Sequence, residues 1–118
     1  MRPEEHFAGH AVALAVYDTV RSVLEASGPF EVRTSRSQVA FRRRRGFAYL
    51  WLPARYLSRP TAEVVLSIVL GRQDGSPRFK EVVHPSPRLW MHHLEIDDAR
   101  EIDEEVIGWL HKAAERAG

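Results

Sequence analysis

The spacing of apolar residues changes along this chain, and the change predicts where helix gives way to strand. Near the N-terminus five apolar residues recur at helical spacing: Phe7, Ala11, Leu14, Tyr17 and Leu24. The run ends at Ser27-Gly28-Pro29, where glycine can cap a helix and proline cannot continue one. This pattern predicts an amphipathic helix over about residues 9–27.

From Phe30 onward the spacing has a period of two, which is typical of β-strands. It predicts two short strands around a turn at Ser35-Arg36-Ser37, and a third strand that begins at Gly46 and ends before Pro53. The run Val64–Leu70 is apolar on both faces and rich in β-branched residues. Such a run is typical of a central strand.

Two further strands are predicted in the second half of the chain. Asp74-Gly75 is a turn signal, so we expect residues 78–83 to return antiparallel to the Val64–Leu70 strand. His84-Pro85-Ser86-Pro87 predicts a rigid connection to a last strand at residues 89–96. The spacing from Asp98 to Glu101 is that of a capping box, which predicts the start of a final amphipathic helix.

Together these elements predict an α+β fold. We expect a two-layer domain with an N-terminal helix, a sheet of about six mostly antiparallel strands and a C-terminal helix, with both helices on one sheet face. The 118 residues suffice for one hydrophobic core, so residues 1–118 are expected to form a single domain.

Composition excludes several classes of function. The chain has no cysteine, so disulfides, thiolate-bound zinc and thiol catalysis are excluded. Its longest apolar runs are much shorter than the ~20 residues of a membrane-spanning helix, and acidic residues rather than an apolar segment follow Arg2. We therefore expect a cytoplasmic protein that does not associate with membranes.

The net charge of +1 conceals an uneven distribution. Residues 30–60 sum to +7 and residues 94–118 sum to −5. The two regions can neutralise each other within the fold or across a dimer, or the basic one can bind a polyanion. Arginine outnumbers lysine 15 to 2, which a GC-rich coding sequence also produces.

The densest positive charge is the run Arg42, Arg43, Arg44 and Arg45. We expect the turn between two strands to lie here, with Gly46 at positive φ, so that the guanidinium groups project from one end of the sheet. One hypothesis is nucleic-acid or polyanion binding by this turn. The alternatives are a solvated turn without function and docking on an acidic partner surface.

The histidines are the other candidates for a site. His92 is expected on the inner sheet face as a hydrogen-bonded core residue. If a pocket is present, we expect four residues to line it: His92, Trp90, Tyr49 and Arg78. His6 and His10 have the spacing of metal ligands on a helix, but no third ligand follows, so a solvated helix start is expected. We predict no metal, no cofactor and no catalytic residues.

Several segments also carry a resemblance to a known family. They are Phe7-Ala8-Gly9-His10, the stretch from Val39-Ala40-Phe41 to Phe47-Ala48-Tyr49, Arg78-Phe79-Lys80, and His92 to Ile96 with the following Ile102-Asp103. In this order they resemble a bacterial domain-of-unknown-function family numbered 5655 over nearly the whole chain. Its members occur alone or as the C-terminal part of larger proteins, and some are described as predicted transport proteins. The resemblance supports the fold and supplies no catalytic residue.

The sequence therefore favours a small accessory domain that binds a protein partner, a second copy of itself or a small ligand, without catalysis. Nucleic-acid binding through Arg42–Arg45 is the first alternative. The second is an enzyme that acts on a small anionic substrate through His92 and Arg78.

Overall fold

The computed structural model describes all 118 residues. Its helices are α1 (Pro3–His6), α2 (Ala11–Glu25) and α3 (Glu104–Ala117), and its strands are β1 (Glu31–Thr34), β2 (Val39–Arg42), β3 (Gly46–Trp51), β4 (Val64–Leu70), β5 (Glu81–Ser86) and β6 (Leu89–Ile96). Two short 3₁₀ helices lie at Pro53–Arg55 and Ala99–Glu101. The predicted α+β fold, with an N-terminal helix, a six-stranded sheet and a C-terminal helix, is confirmed, and the short helix α1 is an addition to it.

The six strands form one antiparallel sheet in the order β1-β2-β3-β4-β6-β5. The prediction that the strand after Asp74-Gly75 pairs with β4 was wrong, because β6 lies between β4 and β5. The strand was also predicted too early, at residues 78–83, because the observed β5 begins at Glu81 and includes part of the segment that was expected to be a connection. Pro85 has no N–H for a ladder and Glu81 is exposed, so β5 is suited to the sheet edge.

Both helices pack on one face of the sheet. Tyr17 of α2 stacks on Phe41 of β2 with ring centroids 5.9 Å apart, and α3 packs on β3 and β4. Cross-strand pairing places Leu50, Leu66 and Leu94 in one row under the helices, and all three are buried. This face is the hydrophobic core.

The N-terminal helix is shorter than predicted. Gly9 has a φ of +83° and separates α1 from α2, which ends two residues before its predicted boundary. His6 was expected in a solvated helix start, but only 2% of it is exposed. Arg55 Nη2 donates to the His6 carbonyl oxygen at 2.9 Å, which ties α1 to the segment after β3.

The capping box predicted at Asp98–Glu101 is present, but it caps a 3₁₀ helix and not α3. The helix α3 begins three residues later, where the Asp103 carboxylate accepts from Val106 N at 3.2 Å. Two N-cap residues, Asp98 and Asp103, thus begin two successive helical segments. No helix is long and apolar enough to cross a membrane.

Strand directions separate the two charged regions. The turn after β2, the end of β4 and the start of β6 lie at one end of the sheet, because Leu70 pairs with Trp90 and Ala48 pairs with Ile68. The acidic residues after Ile96 and at the start of α3 lie at the other end. The acidic region therefore does not neutralise the arginine turn within the fold.

Candidate functional site

Arg43, Arg44 and Arg45 form the turn between β2 and β3, as predicted, whereas Arg42 is the last residue of β2. The four side chains differ in their surroundings. Arg43 is half-buried: Nη1 donates to Ala114 O at 3.1 Å, and Nη2 donates to Ser27 O. Ala114 lies in the last turn of α3 and Ser27 follows the C-terminus of α2 by two residues, so both lie near helix C-termini, where a positive charge is favourable. Three or four guanidinium groups were expected to project from this end of the sheet, and that of Arg43 does not. Of the four arginines, Arg44 and Arg45 are exposed and Arg42 and Arg43 are half-buried.

Gly46 follows this turn, and its predicted positive φ was wrong, since only Gly9 and Gly28 have one. A Cβ at Gly46 would instead overlap the hydroxyl of Tyr49, whose ring lies back along β3. A side chain at position 46 would therefore require the Tyr49 ring to move, whereas the backbone conformation itself does not demand glycine.

His92 lies on the inner face of β6 and is fully buried. Its Nε2 accepts from Asp74 N at 2.9 Å and its Nδ1 faces Trp90 O at 3.0 Å. The ring packs on Phe79 with centroids 4.7 Å apart. Both ring nitrogens have partners, so His92 is the hydrogen-bonded core histidine that the sequence predicted.

The other three residues expected around His92 do not form a pocket with it. Tyr49 is on the outer face of the sheet. Arg78 Nη1 donates to Asp103 and Glu105, and Trp90 stacks on His84 with ring centroids 3.5 Å apart. The structure distributes the four residues over separate parts of the molecule.

The outer sheet face carries a groove that sequence reasoning did not identify. Eight residues line it: Ser37, Gln38, Tyr49, Trp51, Tyr56, Ser67, Met91 and His93. Its volume is about 510 Å³, within the range of roughly 300–1,000 Å³ that is typical of small-molecule sites. The segment after β3 crosses this face, and its Tyr56 hydroxyl donates to Ser37 O at 3.3 Å. We call this the outer groove.

A chain of hydrogen bonds forms the polar part of the outer groove. Trp51 Nε1 donates to Ser67 Oγ at 2.9 Å, and Ser67 Oγ lies 2.6 Å from His93 Nδ1. These residues are on β3, β4 and β6, and Ser67 and His93 are direct cross-strand partners. Because Ser67 accepts from Trp51, its own hydrogen is available for His93 Nδ1.

Donation from Ser67 to His93 Nδ1 selects one tautomer of His93. With Nδ1 as acceptor, a neutral His93 carries its proton on Nε2. That nitrogen has no hydrogen-bond partner and is not enclosed in the protein. Burial lowers the pKa of His93 below its ordinary 6.5, although Glu81 raises it in part. His93 therefore offers a neutral N–H donor beside three aromatic rings.

The sequence contained one signal for this site. Ser67 is the only polar residue in the apolar run Val64–Leu70, and a buried hydroxyl on a central strand requires partners. The signal does not identify those partners, because they come from β3 and β6. Trp51 and His93 were placed on strands but not assigned to a site.

The family model described as Domain of unknown function (DUF5655) matches residues 4–116. The chain belongs to this family. No match was found among curated proteins or among solved structures.

The histidines of this DUF5655 chain predict a pH dependence of stability. Burial lowers the pKa of both His93 and His6 from the ordinary 6.5. Below pH 6.5 the unfolded chain binds protons that the folded chain does not, so the free energy of unfolding should decrease as pH falls toward the folded-state pKa values. The slope should not exceed about 1.4 kcal/mol per pH unit for each histidine.

Urea unfolding at several values between about pH 5 and pH 7.5 measures this dependence. His93→Gln and His6→Gln should each reduce the slope, and the double variant should reduce it further. An equally steep slope in the double variant would show that other groups cause it.

Proposed function

We propose that this DUF5655 domain is a non-catalytic binding module whose outer groove takes a small, neutral molecule with a planar ring and a carbonyl-type acceptor. The observation that carries the proposal is the unpartnered Nε2 of His93 in a groove that Tyr49 and Tyr56 also line. In the tautomer that Ser67 selects by donating to Nδ1, this nitrogen carries the proton. Aromatic walls with a few oriented polar groups are typical of small-molecule sites.

Charge favours a neutral ligand over an anion. Glu81 is the cross-strand partner of His93 on β5, and the charged residues that line a second concavity beside His93 are two acids, Glu81 and Glu95, and one base, Lys80. A ligand carboxylate would be repelled by the two acids, since like charges are unfavourable at short range. A carbonyl can accept from His93 without that repulsion.

The same geometry argues against acyl transfer. The Ser67–His93 hydrogen bond has the length expected of a nucleophile and its base. However, only 2% of Ser67 is exposed, and Trp51 donates to the same oxygen. The oxygen is thus not presented to a substrate. The alternative enzyme site of His92 and Arg78 is not supported, because their polar groups already bind protein groups.

Benzamide and benzoate are a suitable pair of probes, because they share a ring and differ in charge. In a ¹H–¹⁵N NMR titration, benzamide should shift the Trp51 indole and His93 signals with a Kd on the order of 1 mM, a reasonable value for so small a ligand. Benzoate should bind roughly tenfold more weakly, which corresponds to about 1.4 kcal/mol.

Tyr56→Ala removes an exposed wall of the outer groove and should weaken benzamide binding roughly fivefold. Val83→Ala is the matched control, since Val83 is an exposed apolar residue that does not line the groove. Equal affinity in wild type and Tyr56→Ala, or no shift at Trp51 and His93, would refute the proposal.

A further inference from the structure

Positive charge from four separate segments converges at one end of the sheet. The segments are the β2–β3 turn, the residues after β4, the β5–β6 turn and the last turns of α3. Their exposed or half-buried cations are Arg44, Arg45, Arg72, Arg88, Lys112 and Arg116. Two hydrogen bonds link the segments: Arg44 N donates to Ala117 O, and Arg116 Nη2 donates to Arg88 O.

Within this end lies a cleft of about 590 Å³ between the loop Gly71–Gly75 and the C-terminal half of α3. Arg72, Lys112 and Arg116 line it, and none of them forms a salt bridge. We call it the basic cleft.

The one acid that lines the basic cleft is already engaged. Asp74 Oδ2 accepts from Trp109 Nε1 at 3.0 Å, and Oδ1 accepts from Ser76 N at 2.9 Å. Its carboxylate therefore has less capacity to pair with the cations around it. The backbone N–H groups of Gln73 and Gly75 also have no acceptor within the protein.

We propose that the basic cleft binds phosphate groups. Phosphate has several acceptor oxygens and more than one negative charge, which suits two guanidinium groups, one ammonium and free backbone N–H groups. Arginine binds such oxygens bidentately, and lysine supplies a point charge from the facing helix. This site is separate from the outer groove and does not depend on its function.

The phosphate can belong to a small molecule or to a nucleic-acid backbone. A small ligand would contact only the basic cleft. A nucleic acid would extend beyond it onto Arg44, Arg45 and Arg88, where further phosphates would release counterions and make binding steeply salt-dependent. Variants of the cleft and of the β2–β3 turn therefore distinguish the two sources.

The test is a titration of the whole chain with pyrophosphate and with a single-stranded oligonucleotide of about 20 nucleotides at low salt. The amide signals of Gly71, Arg72 and Gly75 report on the basic cleft. In the double variant Arg72→Gln/Lys112→Gln we expect pyrophosphate affinity to fall about tenfold. Both side chains are exposed and have no hydrogen bonds, so this variant should fold normally.

The matched control is Arg36→Gln/Arg59→Gln, which removes the same charge from exposed positions outside the cleft. It should leave pyrophosphate affinity unchanged. Arg44→Gln/Arg45→Gln should leave pyrophosphate binding intact. If the physiological ligand is a nucleic acid, this turn variant should also reduce the salt dependence of oligonucleotide binding by about one for each removed cation.

The site is supported if pyrophosphate binds and its affinity falls only in the cleft variant. If oligonucleotide binding also depends on Arg44 and Arg45, the phosphate belongs to a nucleic-acid backbone. An equal loss of pyrophosphate affinity in the cleft variant and in the control would show that only net charge matters, and this result would overturn the proposal. Failure of both probes to shift the cleft amides would also overturn it.

Discussion

Replacing His92 by alanine should lower the free energy of unfolding by about 3 kcal/mol. The substitution removes a fully buried ring that packs on Phe79. It also leaves Asp74 N without the acceptor that it has at 2.9 Å. Both losses occur inside the core, where a cavity and an unpaired donor are each costly.

Urea unfolding measured by tryptophan fluorescence gives this change in free energy. His84→Ala is the control, because His84 is exposed and its ring only stacks on Trp90. We expect it to cost less than about 1 kcal/mol. A His92→Ala variant as stable as the wild type would show that this histidine is not structural and would reopen its role in a site.

Arg43→Ala should lower the free energy of unfolding by about 2–3 kcal/mol. Its guanidinium donates to Ala114 O at 3.1 Å and to Ser27 O, which are carbonyls at the ends of two helices. Removing it leaves half-buried acceptors without a donor and takes a positive charge from both helix C-termini. It also releases the β2–β3 turn from the helix layer.

Arg45→Ala, two positions along the same turn, is the control for Arg43→Ala. Arg45 is exposed and forms no side-chain hydrogen bond or salt bridge, so its loss should change the free energy of unfolding by less than about 0.5 kcal/mol. Equal effects of the two substitutions in urea unfolding would contradict a structural role for Arg43. The comparison matters for binding studies, because replacing the whole run would confuse lost charge with lost stability.

These two expectations change how the candidate residues are understood. His92 was considered as a catalytic base and Arg43 as a polyanion ligand, but each is occupied by protein groups. Nucleic-acid binding by the exposed residues Arg44 and Arg45 stays a prediction. In our proposal they extend the basic cleft and do not form a site alone.

Most elements were predictable because local patterns specify them. Alternation identified β1, β2, β3 and β6, a continuous apolar run identified β4, and helical spacing identified α2 and α3. The errors arose where a local signal had two structural outcomes. The capping box at Asp98 can begin a 3₁₀ helix as well as an α-helix. Gly46 was expected to have a positive φ, but the ring of Tyr49 lies where a Cβ at this position would be.

The candidate sites were less predictable, because each combines segments that are distant in sequence. The outer groove needs β4 and β6 to be neighbours, so that Ser67 meets His93, whereas the sequence favoured β5 beside β4. The basic cleft needs the loop after β4 to lie against α3. Neither adjacency leaves a local pattern in the chain.

The sequence by itself determined the fold class, the type of each main element and the separation of basic from acidic segments. Periodicity, capping and composition act over a few residues, so they can be read without the fold. Only the tertiary structure decided which arginine binds carbonyl groups near the helix ends and which histidine has a ring nitrogen without a partner in the protein. Those roles depend on hydrogen bonds such as Arg43 to Ala114, and only strand order and helix packing bring such atoms together.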